Sequence, residues 1–81
     1  KIMANELSRF NIRVNAVAPG LINTDMLDQM DSKSIDKILD QSFLKKIGEV
    51  EDIAELVLFL VSEAAKLING QIIRVDGGMK F

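Results

Sequence analysis

Two short apolar runs of strand character, residues 12–18 (IRVNAVA) and 71–75 (QIIRV), are held apart by a long intervening stretch with helical patterning. This spacing most constrains the fold, because antiparallel neighbours can be joined by a tight hairpin, whereas parallel neighbours need a long crossover, usually with a helix. The order helix, strand, crossover with helices, strand therefore predicts an α/β architecture with parallel strands. Two parallel strands do not make a stable sheet alone, and parallel sheets are covered by helices on both faces. The expectation is that residues 1–81 form one edge of a larger α/β layer.

The local signals agree with that order. In residues 1–10, Met3, Leu7 and Phe10 recur at helical spacing, and Asn11 is a reasonable stop. No capping residue precedes Lys1, so the helix opens in mid-pattern, as if the chain were cut there. Pro19-Gly20 ends the first strand, Asn69-Gly70 marks a turn, and Asp76-Gly77-Gly78 ends the second strand. Between them, residues 21–46 are mixed and acidic. Ser32 or Ser34 could cap a short helix there, with Ile35, Ile38 and Leu39 on one stripe. Glu51, Asp52 and Glu55 crowd the first turns of a later helix, where the macrodipole favours anions. That helix is apolar at almost every position from 53 to 61, which predicts burial on two sides.

Composition narrows the chemistry. The chain has 81 residues, 48% hydrophobic, with no Cys, no His and no Tyr, and a formal net charge of −2. These counts exclude a disulfide scaffold, a Cys/His zinc site and any Cys or His nucleophile or base. The charge argues against nucleic acid or an anionic membrane as partner, and no apolar run reaches the roughly 20 residues needed to span a bilayer. The cytoplasm is the expected compartment. The Asp25, Asp28, Asp31, Asp36 and Asp40 cluster lacks the spacing and turn glycine of a calcium loop and is read as solvated helix charge. Glu6, Asp25 and Asp76 are acids or bases on paper only.

The informative stretch is Pro19-Gly20-Leu21-Ile22-Asn23-Thr24. It follows a strand, where open α/β sheets bind ligands beyond their strands' carboxyl ends. Gly20 permits close backbone approach, and exposed N–H groups with the Thr24 hydroxyl could bond an amide or a phosphate. The competing view is a plain turn with Thr24 as a helix N-cap. No glycine-rich phosphate fingerprint occurs in the chain.

The runs IRVNAVAPGLINTDM, GEVEDIAELVLFL and INGQIIRVDGG resemble, in that order, the C-terminal part of the short-chain dehydrogenase/reductase family. Within it they are most similar to bacterial 3-oxoacyl-acyl carrier protein reductases. The resemblance runs from about Asn5 to Gly78 and implies that residues 1–81 are the C-terminal portion of a Rossmann-like doubly wound parallel sheet. It implies NAD or NADP as cofactor, with Pro19, Gly20, Ile22 and Thr24 beside the nicotinamide, the Ile22 backbone on the carboxamide and the Thr24 hydroxyl helping to hold the cofactor. It implies that residues 25–47 are a substrate lid, with Met26, Leu27, Met30 and Ile35 facing a small-molecule or acyl-carrier-bound substrate. Helix 51–61 and strand 71–75 correspond to the elements that pack across a two-fold axis in oligomeric members, so a homo-oligomer, tetramer or dimer, is expected. On that basis an acid at Leu60 should break assembly.

The family's glycine-rich turn, Asn-Ala-Gly segment, catalytic Ser and Tyr-x-x-x-Lys all lie upstream of the matching region, and Lys1 is not that lysine. Val50 replaces a common Pro, and Leu67-Ile68-Asn69-Gly70 replaces a more usual Tyr-Ile-Thr-Gly. The parent is expected to be a carbonyl-reducing enzyme and the 81 residues alone to be inactive. The alternative is a non-catalytic oligomerising module built on the apolar helix 53–61.

Overall fold

A computed structural model describes residues 1–80. The elements are α1 (Ile2–Ser8), β1 (Ala16–Pro19), α2 (Asp25–Asp28), α3 (Ser32–Asp40), α4 (Val50–Leu60), a single 3-10 turn (Glu63–Ala65) and β2 (Ile72–Val75). The strands pair in parallel, with Ala16 opposite Ile72 and Pro19 opposite Val75. The crossover logic of the sequence is thus realised, with α2, α3 and α4 on the connection.

Pro19 is compatible with a strand because of the parallel alternation. Ala16 and Gly20 donate to Gln71 and Val75 at 2.8 and 3.0 Å. The intervening odd positions turn their amides to the opposite edge, where a missing N–H breaks no rung.

The first strand is shorter than its apolar run. Residues 12–15 are joined to the second half of the chain by one backbone bond, from Gly70 N to Val14 O at 2.9 Å, and otherwise by side chains. Asn69 Oδ1 accepts from Val14 N at 3.0 Å, and Asn15 Oδ1 accepts from Gln71 N at 3.0 Å. Ile68 O accepts from Asn15 Nδ2 and from an Arg13 Nη1 donor. Local Asn bonding of this kind competes with regular pairing. At Gly70, φ is +70°, the left-handed conformation its turn needs.

Two helix expectations are revised, the buried face of α1 and the cap of α3. α1 ends at Ser8, with Asn11 in the left-handed region at φ 60° as the stop. Its buried residue is Ala4; Met3 and Phe10 are exposed. The cap of α3 is neither Ser32 nor Ser34 but Asp31, whose Oδ1 accepts from Ser34 N at 2.7 Å. That bond to the backbone, followed by one from the Ser34 side chain, holds the Asp31 carboxyl below its ordinary range. At the start of α4, Asp52 Oδ2 accepts from Glu49 N at 2.8 Å, closing the first turn.

The two-sided burial predicted for α4 is not present within the chain. Leu60 is 6% exposed, whereas Leu58 is 68% and Val61 71% exposed. The whole chain behaves the same way. A compact monomer of this length exposes about 4,900 Å², and this one exposes 6352 Å². Its radius of gyration is 15.4 Å, where about 12 Å is usual. Apolar helix faces therefore await cover that these residues do not supply.

Candidate functional site

The site is built where the two strands end. Gly20 donates the last rung to Val75, and the chain then turns away across Asp76. A Cβ placed on Gly20 would lie 2.6 Å from Asp76 Cβ and 2.8 Å from its Cα. The close approach that glycine permits here is to the end of β2.

Leu21–Asn23 is then held by one isolated parallel bridge to Gly48. Gly48 N donates to Leu21 O, and Asn23 N donates to Gly48 O, both at 2.8 Å. In such a bridge the central residue's own N–H and C=O face away from the partner. Ile22 therefore offers an adjacent donor and acceptor that neither bond uses. A Cβ on Gly48 would lie 2.9 Å from Ile22 Cδ1, the mobile tip of that side chain.

Thr24 occupies the N-cap position of α2 in extended conformation, with φ −135° and ψ 175°. Its carbonyl accepts from Leu27 N at 2.9 Å, but its hydroxyl makes no capping bond. The plain-cap view of Thr24 thus holds for its backbone position and not for its hydroxyl.

A cavity of about 380 Å³ opens beside this turn. Ala18, Pro19, Gly20 and Leu21 line the strand-end side, Ile38 and Leu39 the α3 side, and Met79 closes it from the C-terminal tail. Ser42, Lys46, Arg74 and Asp76 also reach it. The predicted site residues divide. Pro19 and Gly20 line this cavity, while Ile22 lines a second of about 370 Å³ with Leu44, Asp52 and Gly77. None of Met26, Leu27, Met30 and Ile35 lines either one. Met26 is 78% exposed, Leu27 is buried, and Met30 and Ile35 are half-buried.

The acids are differently placed. Glu6 and Asp25 are exposed. Asp76 is engaged: Oδ2 accepts from Arg74 Nε and Nη2, each at 3.0 Å, and Oδ1 accepts from Gly78 N at 2.9 Å. It shapes the turn after β2. Among the described residues, no group of three or more His, Cys, Asp or Glu is placed to hold a metal ion, and no helix is long and apolar enough to cross a membrane.

Sequence reasoning missed Ser42, the one polar residue among the buried side chains described. Its hydroxyl bridges the segment after α3 to the end of β2, and only that long-range contact reveals it.

A family model described as enoyl-(acyl carrier protein) reductase matches residues 1–80. The chain belongs to this family, among the short-chain dehydrogenases/reductases. A 3-oxoacyl-[acyl-carrier-protein] reductase of Staphylococcus epidermidis is 49% identical over 79 residues, and that of Thermotoga maritima 42%. Each alignment covers 98% of this chain and 32% of the relative. A 3alpha-hydroxysteroid dehydrogenase of Mediterraneibacter gnavus is 44% identical over 80 residues, covering 99% of this chain and 32% of the relative. The crystal structure of a 3-oxoacyl-[acyl-carrier protein] reductase from Brucella melitensis superposes with a TM-score of 0.91 at 30% identity, over 99% of this chain and 30% of that one. The chain thus spans about a third of the length of these family members. The expected α/β fold class is that of this structural neighbour, and the small parallel sheet is the part of it present here.

Proposed function

We propose that residues 1–81 are the C-terminal part of one nucleotide-binding domain in an enzyme that reduces the carbonyl of a 3-oxoacyl thioester. When bound, NADH or NADPH supplies the hydride for such a reduction. The observation that carries this reading is the pair of uncommitted polar groups after β1: the Ile22 backbone and the Thr24 hydroxyl. A carboxamide is both donor and acceptor, and the N–H and C=O of one residue match it. Pro19 and Gly20 set the direction of that turn, and Gly48 fixes its register.

The proton that must reach the carbonyl oxygen has no suitable donor here, since the chain has no Tyr, His or Cys. In this reading that donor sits in the upstream part, and the 81 residues supply one wall of the nicotinamide pocket and the lid. The lid is 25–47, with Met26, Met30 and Ile35 available to an acyl chain when it closes, whereas Leu27, predicted to face the substrate, is packed inside the chain. The 3-oxoacyl substrate class rests on the 42–49% identity to relatives so named, and on the apolar cavity beneath α3.

Exposed Leu58 and Val61 on α4 and Ile72 on β2 favour a homo-oligomeric contact through those elements. The same face supports the second reading, a non-catalytic oligomerising module.

The experiment is oxidation of NADPH and NADH by the full-length protein with a 3-oxoacyl thioester, beside an enoyl thioester and a 3-oxosteroid. Preferred turnover of the 3-oxoacyl thioester is expected. Turnover of neither cofactor overturns the enzymatic reading in favour of the module. Activity in the isolated 81 residues overturns the division of labour.

A further inference from the structure

The segment that closes the cavity is the tail after β2, and it is tied to the lid. Residues 41–44 run antiparallel to residues 77–80. Phe43 N donates to Gly78 O at 2.7 Å, Leu44 N to Gly77 O at 3.1 Å, and Lys80 N to Gln41 O at 2.8 Å. Ser42, 3% exposed, sits at the centre and pairs with Met79 across this junction. Its Oγ donates to Asp76 O at 3.2 Å and accepts from Lys45 N at 3.4 Å.

The fit leaves no slack. A Cβ on Gly77 would lie 2.9 Å from Ser42 Oγ, and one on Gly78 would lie 3.0 Å from Phe43 Cδ2. Both glycines have φ in the left-handed region, 74° and 80°. A side chain at either position would therefore strain the backbone and press on residues 42–44. The junction follows α3 directly, so it fixes where Ile38 and Leu39 stand over the strand ends. Met79 lines the same cavity from the tail side.

We propose that residues 77–80 are a wall of the acyl-binding cavity, with Met79 as a specificity-determining residue and Ser42 as the positioning residue that clasps the tail to α3. This rests on the 3-oxoacyl reading above and adds to it which residues limit acyl length. Shortening Met79 deepens the apolar space, and one methylene in such a pocket changes discrimination about tenfold.

The test uses the full-length protein and 3-oxoacyl thioesters of increasing chain length. Met79→Ala is expected to shift the ratio of kcat/KM for long over short chains about tenfold towards the long ones, with cofactor affinity unchanged. Ser42→Ala is expected to raise KM for long chains while kcat holds. Hydrogen exchange at the Phe43, Leu44 and Lys80 amides should quicken about fivefold, the usual worth of one hydrogen bond, with Ala16 and Gly20 unaffected. An unchanged chain-length profile in Met79→Ala overturns the wall. Unchanged exchange in Ser42→Ala overturns the clasp. If the wild-type protein reduces no 3-oxoacyl thioester, the functional reading fails and the acyl wall with it, while the exchange measurement still decides the clasp.

Discussion

Gly20 and Asp76 stand in contact at the ends of the two parallel strands, with room for no Cβ on the glycine: one built there would sit 2.6 Å from Asp76 Cβ. The contact joins the candidate cofactor turn to the residue that organises the tail. Asp76 cannot withdraw freely, because Arg74 and Gly78 both donate to its carboxylate.

Gly20→Ala should therefore destabilise the protein, because the neighbouring atoms are backbone and Cβ and not a flexible tip. Overpacking of this kind costs about 1–3 kcal/mol. Denaturant unfolding of the variant measures it, and a wild-type midpoint would show that the strand ends can separate without cost.

Thr24→Ala separates a ligand role from a structural one. The hydroxyl makes no capping bond, so thermal stability should stay the same. Cofactor binding should weaken by about 1 kcal/mol, one hydrogen bond's worth. Calorimetric titration reads the second quantity, and an unchanged dissociation constant removes Thr24 from the site.

The proposed interface on α4 must be probed at Leu58 and not at Leu60. Leu60 is buried within the chain, so Leu60→Ala should cost about 2–4 kcal/mol of stability, and an acid there would unfold the protomer before it reported on assembly. Leu58→Asp places a charge on an exposed position that the proposed oligomeric contact would bury. Sedimentation should then show a smaller, folded species; a wild-type distribution would argue against α4 as the contact.

Lys45 has φ 52°, a conformation that costs an L-residue with a side chain roughly 1 kcal/mol and glycine almost nothing. Its ion pair to Asp40 at 3.6 Å is exposed and contributes little. Lys45→Gly should leave stability equal or higher. A clear loss of thermal stability would mean that the lysine does more than fill a turn.

The α3 cap is pH-dependent. The Asp31 carboxyl is held below its ordinary value by the Ser34 backbone bond, so the folded form gains from ionisation. That gain is complete above the ordinary Asp range and is lost as pH falls through the depressed folded value. Asp31→Asn keeps the cap without the titration. Protection of the Ser34 amide, taken relative to its intrinsic exchange rate at each pH, should fall on acidification in the wild type and stay level in the variant.

The sequence by itself determined the element order, the parallel pairing and the position of the turn after β1. Those follow from short-range rules: a 3.6-residue period, a crossover too long for a hairpin, and Pro-Gly at a strand end. The helix stop at Asn11 and the turn at Gly70 were legible for the same reason, since a backbone conformation is a property of one residue and its neighbours. The tertiary structure decided what depends on partners far along the chain. It put Asp31 and not a serine at the α3 cap, and used Asn15 and Asn69 in place of most of a ladder. It spent Gly20 on Asp76, and it brought Ser42 to the end of β2. Competition between near-equal cappers and the meeting of residues 42 and 76 are settled by packing, which no local pattern encodes. The open face of α4 shows the same division: its apolarity was plain in the sequence, but which residues face inward was set by where β1 and the 3-10 turn lie against it.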